Sequence, residues 1–180
     1  MAIFIALAIH EIAHLFSAII LNIKFDKVKI TIFGFNINAD LENVSLFKKI
    51  ILFFSGPFCN IVLYIVLRNS LYKYFAEINF FLAFVNLVPI VPLDGGNICK
   101  SILEYFLNSK VVSRYIIMTN SFFIVCFLII IYRYKIWVYL LLIIMGLKGI
   151  IEENMILMER NIKVSYYKNK RKKYFNGYYK

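Results

Sequence analysis

The sequence predicts an all-α polytopic membrane protein with about five transmembrane helices. Hydrophobic residues make up 62% of the 180 residues, and the mean hydropathy is +0.75. A soluble domain is about half apolar. Apolar runs of about the length of a membrane span also recur along the chain. The predicted spans are residues 1–21, 50–67, 78–93, 115–132 and 136–151.

The first apolar run contains the motif His10-Glu11-Ile12-Ala13-His14. Helical residues four apart lie about 40° apart around the axis, so His10 and His14 share one face, a turn apart. Two imidazoles in this arrangement can bind one metal ion. Zinc is favoured because it binds neutral imidazole, and its catalytic sites use three protein ligands and a water. Glu11 lies beside the first ligand, where its carboxylate can take a proton from that water.

The alternative interpretation is that two core histidines lie close together by accident. They are the only histidines in the chain, and a glutamate directly follows the first. A helix that spans lipid contains few ionisable groups, so a glutamate and two histidines in the middle of one indicate function. The motif therefore favours a metal site.

A third ligand is predicted where the third apolar run ends, in residues 89–96. Two prolines followed by two glycines cannot continue a regular helix, and the break presents Asp94. A carboxylate after a long apolar stretch needs a counter-charge, which zinc would supply if Asp94 completed a His₂-carboxylate set. An ordinary Asp-Gly turn at a membrane boundary is the alternative. The other two aspartates, Asp26 and Asp40, lie in the polar segment around the predicted hairpin, and Asp40 is not expected to contribute.

Two further segments carry patterns that bear on the site. Residues 28–38 alternate and are rich in β-branched and aromatic types, with Gly34 at the turn, which predicts a short β-hairpin or reentrant segment. A strand edge beside a metal site can bind a peptide in extended form. Within the second span, the Gly56-Pro57 pair and Asn60 are explained as well by close helix packing, with Asn60 bonding between helices, as by a direct role.

Charge and cysteine usage exclude other classes of protein. A net charge of +11 is also typical of proteins that bind nucleic acid, but much of the excess lies in the last twenty residues and beside apolar runs, which membrane topology explains better. Cys59, Cys99 and Cys126 lie in or beside apolar runs without C-x-x-C spacing. They are therefore expected to be small buried hydrophobic residues and not disulfides or zinc ligands.

The distribution of lysines predicts the topology. Lysines after Asn22 mark the cytoplasmic end of the first span, and the basic tail, residues 160–180, should also be cytoplasmic. The tail either contacts anionic lipid or an acidic partner through its charge, or only marks the topology. Four further spans lie between these two segments, and an even number of spans returns the chain to the same side. The five predicted spans are therefore consistent with both segments being cytoplasmic. Met1 would then lie outside, with no basic residue or cleavable signal to direct it. A sixth span ahead of residue 1 is the alternative expectation.

These motifs together carry a resemblance to a known family. The His10–His14 motif in a membrane helix, residues 56–60 in the next and residues 86–96 in a later one resemble the site-2 protease family of intramembrane zinc metalloproteases. Within that family, Glu152-Glu153 after the last span, the stretch from Phe84 and the basic, tyrosine-rich tail are most similar to the stage IV sporulation protein FB branch.

The resemblance implies a set of site residues. His10, His14 and Asp94 match the zinc ligands, and Glu11 matches the catalytic acid/base. Positions that shape the site or contact substrate are matched with less specificity, by Asn86, Pro92 and Asn60.

The resemblance also implies the biology. Residues 1–159 would form an intramembrane metalloprotease domain, and residues 160–180 a cytoplasmic tail. Members of the branch, in the bacterial cell or forespore membrane, cut the membrane-associated pro-sequence of a sporulation sigma factor. Partner membrane proteins hold them inactive until a signal arrives. From the placement of the basic residues, no nucleic-acid partner is expected.

Two other classes of function stay open at this point. A membrane transporter could bind a metal in transit, but it would not need a glutamate beside the first histidine and usually shows internal repeats, which this sequence lacks. A catalytically silent scaffold could keep the fold without the chemistry, although all three ligands and Glu11 are present.

Overall fold

The computed structural model describes residues 1–23, 25–31, 34–39, 41, 44–136 and 138–177, with side chains for 1–23, 41, 44–136 and 138–167. These residues form two compact units, Met1–Phe106 and Leu107–Lys180. The first unit contains helices α1 (Ala2–Ile20), α2 (Leu46–Leu67), α3 (Lys73–Asn86) and α4 (Asp94–Phe106) with strands β1 (Phe25–Thr31) and β2 (Gly34–Ala39). The second contains α5 (Ser109–Tyr134) and α6 (Tyr139–Gly177).

Helix α1 ends close to where the sequence predicts. Asn22 has a positive φ of 52°, a left-handed conformation that asparagine tolerates better than most residues. The backbone N–H of Ile23 then donates to the carbonyl of Ala18, at 3.0 Å. This bond satisfies a carbonyl at the end of the helix and turns the chain out of α1.

Strands β1 and β2 form a two-stranded antiparallel sheet within the segment for which the sequence predicts a hairpin. Val28 pairs with Ile37 and Ile30 with Phe35, with an irregularity in the register near Phe25. Strand β2 also packs against α1. Residues 32–33, which join the strands, lie outside the described residues.

Helix α2 is the central element of the first unit, because it packs against α1, α3 and α4. Its buried residues include Leu52, Gly56 and Asn60, which are four apart and therefore lie on one face. Helix α1 buries His10 and His14 in the same spacing. The two helices thus bring a glycine-containing stripe and a histidine-containing stripe together.

The third predicted span, residues 78–93, differs from the observed helix. Helix α3 has only 14 residues, Lys73–Asn86, or about 21 Å, against roughly 30 Å for the hydrocarbon core. It ends three residues before Pro89, because proline disfavours helical backbone before it and lacks an N–H. The chain is irregular from 87 to 93, and α4 begins at Asp94.

Helices α5 and α6 pack on each other in the second unit. The fourth and fifth predicted spans lie mostly within them. Asn120 and Glu153 are buried there, and the amide of Asn120 donates to the carbonyl of Gly146, at 3.2 Å. Helix α6 continues without a break through residues 159 and 160. The domain boundary predicted between these residues stays a prediction. The side chains of residues 168–180 in the basic tail lie outside the described side chains.

Three of the described helices, α1, α2 and α5, are long and apolar enough to cross a membrane. They correspond to the first, second and fourth predicted spans. The fifth predicted span lies at the start of α6, near which Lys148, Glu152 and Glu153 interrupt the apolar sequence. The predicted count of five therefore stays a prediction. The three cysteines are free and half-buried.

Candidate metal centre

Helix α1 presents both histidines on its buried face. His10 is 3% exposed and His14 is 6% exposed, whereas Ile12 between them is 57% exposed. The imidazole rings meet edge to face at 84°, and their Nε2 atoms are 3.1 Å apart. The four-residue spacing therefore brings two nitrogens that can ligate a metal together inside the first unit.

Asp94 joins them from the first position of α4. Its Oδ2 atom lies 3.1 Å from Nε2 of His10 and 3.3 Å from Nε2 of His14. The two glycines that follow allow this close approach, because a Cβ on Gly95 would overlap the carbonyl of Leu87 and one on Gly96 the backbone of Ile90. The sequence alone predicts that Asp94 faces the histidines, but it does not predict this contact between α4 and the preceding loop.

The three ligand atoms form a nearly equilateral triangle with sides of 3.1, 3.1 and 3.3 Å. Tetrahedral zinc with bonds of about 2.0–2.2 Å separates its ligand atoms by roughly 3.3–3.6 Å. The observed triangle is close to one face of such a tetrahedron. Within the described part of the chain, His10, His14 and Asp94 are a group that can hold a metal ion.

Hydrogen bonding at the site is also consistent with a cation. Nδ1 of His14 lies 2.8 Å from the carbonyl oxygen of Leu52, which can only accept, so Nδ1 carries a hydrogen and a neutral ring keeps its lone pair on Nε2. Oδ2 of Asp94 is buried and accepts no hydrogen bond. Buried lone pairs that converge without a proton are unfavourable unless a cation lies among them. The residues therefore fit a divalent metal.

Gly56 of helix α2 lies against the Nε2 atoms of both histidines and has no side chain to fill the space that they occupy. A Cβ built on Gly56 would overlap Nε2 of His14 and lie 2.7 Å from Nε2 of His10. The sequence indicates for Gly56 no more than close helix packing. Its structural role is more specific, because the absence of a side chain at this position makes room for the ligand nitrogens.

Ser55 is a site residue that the sequence analysis missed. Its hydroxyl donates to the carbonyl of Leu52, at 2.7 Å, and its oxygen lies 3.2 Å from Nδ1 of His14. It therefore helps to hold the ring of His14 from the side away from Asp94. No sequence signal marked it, since a serine in a membrane helix more often bonds to its own helix backbone.

Glu11 lies half-buried beside the ligand stripe, and its charge is close enough to act on His14. The carboxylate is not one of the three atoms of the triangle. Its role as the catalytic acid/base stays a prediction.

The three residues predicted with less specificity lie in different surroundings. Asn86 is the last residue of α3, and its amide donates to the carbonyl of Leu82, at 3.0 Å. The carbonyl of Pro92, in the loop that precedes Asp94, accepts from the side-chain amide of Asn97, at 3.1 Å. Asn60 is fully buried, and its amide nitrogen lies 3.2 Å from Nδ1 of His10.

Replacing Asp94 with alanine should remove one side of the triangle. We expect zinc affinity to fall by more than the roughly 10- to 100-fold that loss of an outer-shell partner costs. Zinc competition with a chromophoric chelator measures the change. Glu104→Ala is the control, since Glu104 is an exposed carboxylate on the same helix; equal losses in both variants would remove Asp94 from the site.

Comparison with known proteins supports one family. Residues 65–131, which include Asp94, match the family model of peptidase family M50. A candidate zinc metalloprotease of the cyanobacterium Synechocystis sp. is 27% identical over 112 residues, which cover 56% of this chain and 30% of that protein. The chain thus spans about a third of the length of this curated relative. The M50 zinc metalloproteases imply Zn²⁺ as the metal that His10, His14 and Asp94 can bind.

A solved structure shows the same fold. The site-2 protease from Methanocaldococcus jannaschii superimposes with a TM-score of 0.62 at 20% identity, over 86% of this chain and 74% of that one. The helical arrangement is therefore that of a site-2 protease. The family model and the curated relative support the M50 family for this chain, and the solved structure shows the fold.

Proposed function

We propose that the chain is an intramembrane zinc metalloprotease that hydrolyses a peptide bond of a membrane-associated protein. The observation that carries the proposal is the triangle of His10, His14 and Asp94 with Glu11 beside it. Two imidazoles and one carboxylate are a common ligand set of catalytic zinc sites, and they leave a fourth position open for water.

The residues of the chain divide the chemistry among them. His10, His14 and Asp94 would hold the zinc, which when bound supplies Lewis acidity and a nucleophile at neutral pH. Glu11 takes the proton from the attacking water and later returns it to the leaving amine. The apolar surroundings exclude bulk solvent and strengthen these interactions.

The sheet of β1 and β2 gives the substrate a place to bind. A substrate helix must be unwound locally, because its carbonyls are otherwise hydrogen-bonded within the helix. An extended segment can add to a strand edge through main-chain hydrogen bonds. Strand β2 packs against α1, the helix that carries the histidines, which supports this role for the sheet.

The substrate class we propose is a sporulation pro-sigma factor, cut on its membrane-associated pro-sequence. Support comes from the sequence alone, in the resemblance of residues 84–96, Glu152-Glu153 and the basic tail to the stage IV sporulation protein FB branch. Membrane proteins that hold the protease inactive follow from the same resemblance. The basic residues of 160–180 support a cytoplasmic tail that lies on anionic lipid.

Removal of zinc tests the proposal. We expect the purified chain to bind about one zinc and to cleave a membrane-tethered substrate reconstituted with it. Chelation with 1,10-phenanthroline should stop cleavage, and added zinc should restore it. Cleavage that continues in metal-free protein would contradict the proposal. Bound zinc without cleavage of any tethered substrate would instead favour a catalytically silent scaffold.

A further inference from the structure

We propose that Asn60 is a positioning residue of the metal centre, which holds His10 in the tautomer that can bind zinc. Its amide oxygen accepts the hydrogen on Nδ1 of His10, and Nε2 is thereby left as the ligand atom. The inference rests on the proposed function, since it assigns a role toward the zinc that this function requires.

The side chain of Asn60 contacts the ring nitrogen of His10 that does not face Asp94. Asn60 is fully buried on α2, one helical turn beyond Gly56, and its amide group faces Nδ1 of His10 at 3.2 Å. The amide nitrogen is the nearer atom, and the amide oxygen is buried without a hydrogen-bond partner. A buried oxygen without a donor is unfavourable in an apolar interior.

The tautomer of His10 decides how this amide must face. If the amide nitrogen donated to Nδ1, the single hydrogen of a neutral ring would lie on Nε2 and point toward Asp94, where a metal would have to bind. Turning the amide about its terminal torsion exchanges oxygen and nitrogen in almost the same space. The oxygen of Asn60 then gains a donor, Nδ1–H, and Nε2 of His10 turns a lone pair toward the metal position.

His14 shows the same arrangement one turn away. Its Nδ1 faces the carbonyl of Leu52 at 2.8 Å, and Leu52 and Asn60 lie four residues on either side of Gly56. One face of α2 therefore supplies a hydrogen-bond acceptor for each histidine, from Leu52 and Asn60. Gly56, between these two residues, leaves room for the rings. Outer-shell acceptors of this kind fix the tautomer and orientation of metal-binding histidines.

Three variants separate this role from simple helix packing. Asn60→Leu keeps the size of the side chain and removes the acceptor, so zinc affinity should fall roughly 10- to 100-fold. Asn60→Asp keeps an acceptor and should restore most of the affinity. Asn79→Leu is the matched control, because Asn79 is equally buried, on α3, and its amide donates to the carbonyl of Phe75.

The experiment uses the full chain in detergent micelles and two measurements. Zinc affinity is measured by competition with a chromophoric chelator. The tautomer is measured by NMR on metal-free protein with ¹⁵N-labelled histidine, which gives only two imidazoles because the chain has two histidines. We expect His10 to carry its hydrogen on Nδ1 in the wild type and to lose that preference in Asn60→Leu, while His14 stays unchanged.

Two results would overturn the inference. One is that Asn60→Leu binds zinc as tightly as the wild type and keeps the wild-type tautomer of His10. The other is an equal loss of affinity in Asn60→Leu and Asn79→Leu without rescue by Asn60→Asp, which would assign Asn60 to packing. If the wild-type chain binds no zinc, the proposed function fails, and the NMR measurement still decides whether Asn60 sets the tautomer.

Discussion

Replacing Glu11 with glutamine is expected to abolish peptide-bond hydrolysis while zinc binding is kept. Glutamine has nearly the same shape but is not a base at neutral pH, so it cannot take the proton of the attacking water. General acid–base catalysis contributes roughly 10²- to 10⁴-fold, and the rate should fall by at least that factor. The rate is measured on a membrane-tethered substrate, and the zinc content of the same preparation is measured by elemental analysis.

The zinc measurement distinguishes catalysis from structure. Glu11 is not part of the ligand triangle, so the variant should keep about one zinc per chain. Glu77→Gln is the control, because Glu77 is an exposed partner of Lys73 on α3. An active Glu11→Gln variant would disprove the acid/base role. Joint loss of zinc and activity would show instead that Glu11 supports the metal site.

The features that could be predicted from the sequence are those set by local spacing. The i, i+4 pair of His10 and His14 lies on one helical face in any α-helix, and the cost of ionisable groups in an apolar run marked the pair as functional. Asp94 could be predicted because a break rich in proline and glycine exposed a carboxylate that needed a cation. The structure places these three residues within 3.3 Å of one another.

The remaining parts of the site depend on contacts between distant residues. Leu52 contributes a backbone carbonyl, which has no sequence signature, and its contact with His14 joins positions 38 residues apart. Asn60 contacts His10 across 50 residues. Both contacts require the packing of α1 on α2, which hydrophobic periodicity alone does not set. Packing also explains the role of Gly56, since the absence of a side chain has meaning only once its neighbours are known.

The end of the third predicted span could be predicted only in part, because the proline and glycine residues indicate a break but not the residue at which the helix ends. The apolar run 78–93 predicts one span, yet α3 ends at Asn86 because Pro89 follows. The loop from 87 to 93 then positions Asp94 at the start of α4. Hydropathy averages over this break, whereas the backbone geometry of proline determines it. The break therefore sets the start of α4, because a continuous helix would not place Asp94 at its first position.

Replacing Gly56 with alanine is expected to remove zinc binding without unfolding α2. The new Cβ would overlap Nε2 of His14 and approach Nε2 of His10, so the rings must move and the triangle cannot close. Alanine is a better helix former than glycine by about 1 kcal/mol, so helix content should be kept. Zinc content and circular dichroism of the same preparation measure the two effects separately.

A variant with the same added volume elsewhere on α2 shows whether the effect is local. Val66→Ile also adds one carbon, but Val66 is 68% exposed on α2 and has space for it. This control should bind zinc and cleave substrate as the wild type does. The Gly56→Ala variant should have neither property, because both depend on ligand atoms that the added methyl group displaces. Normal zinc content in Gly56→Ala would show that α1 can move away from α2 without loss of the site, and Gly56 would then not be needed to make room for the ligand nitrogens.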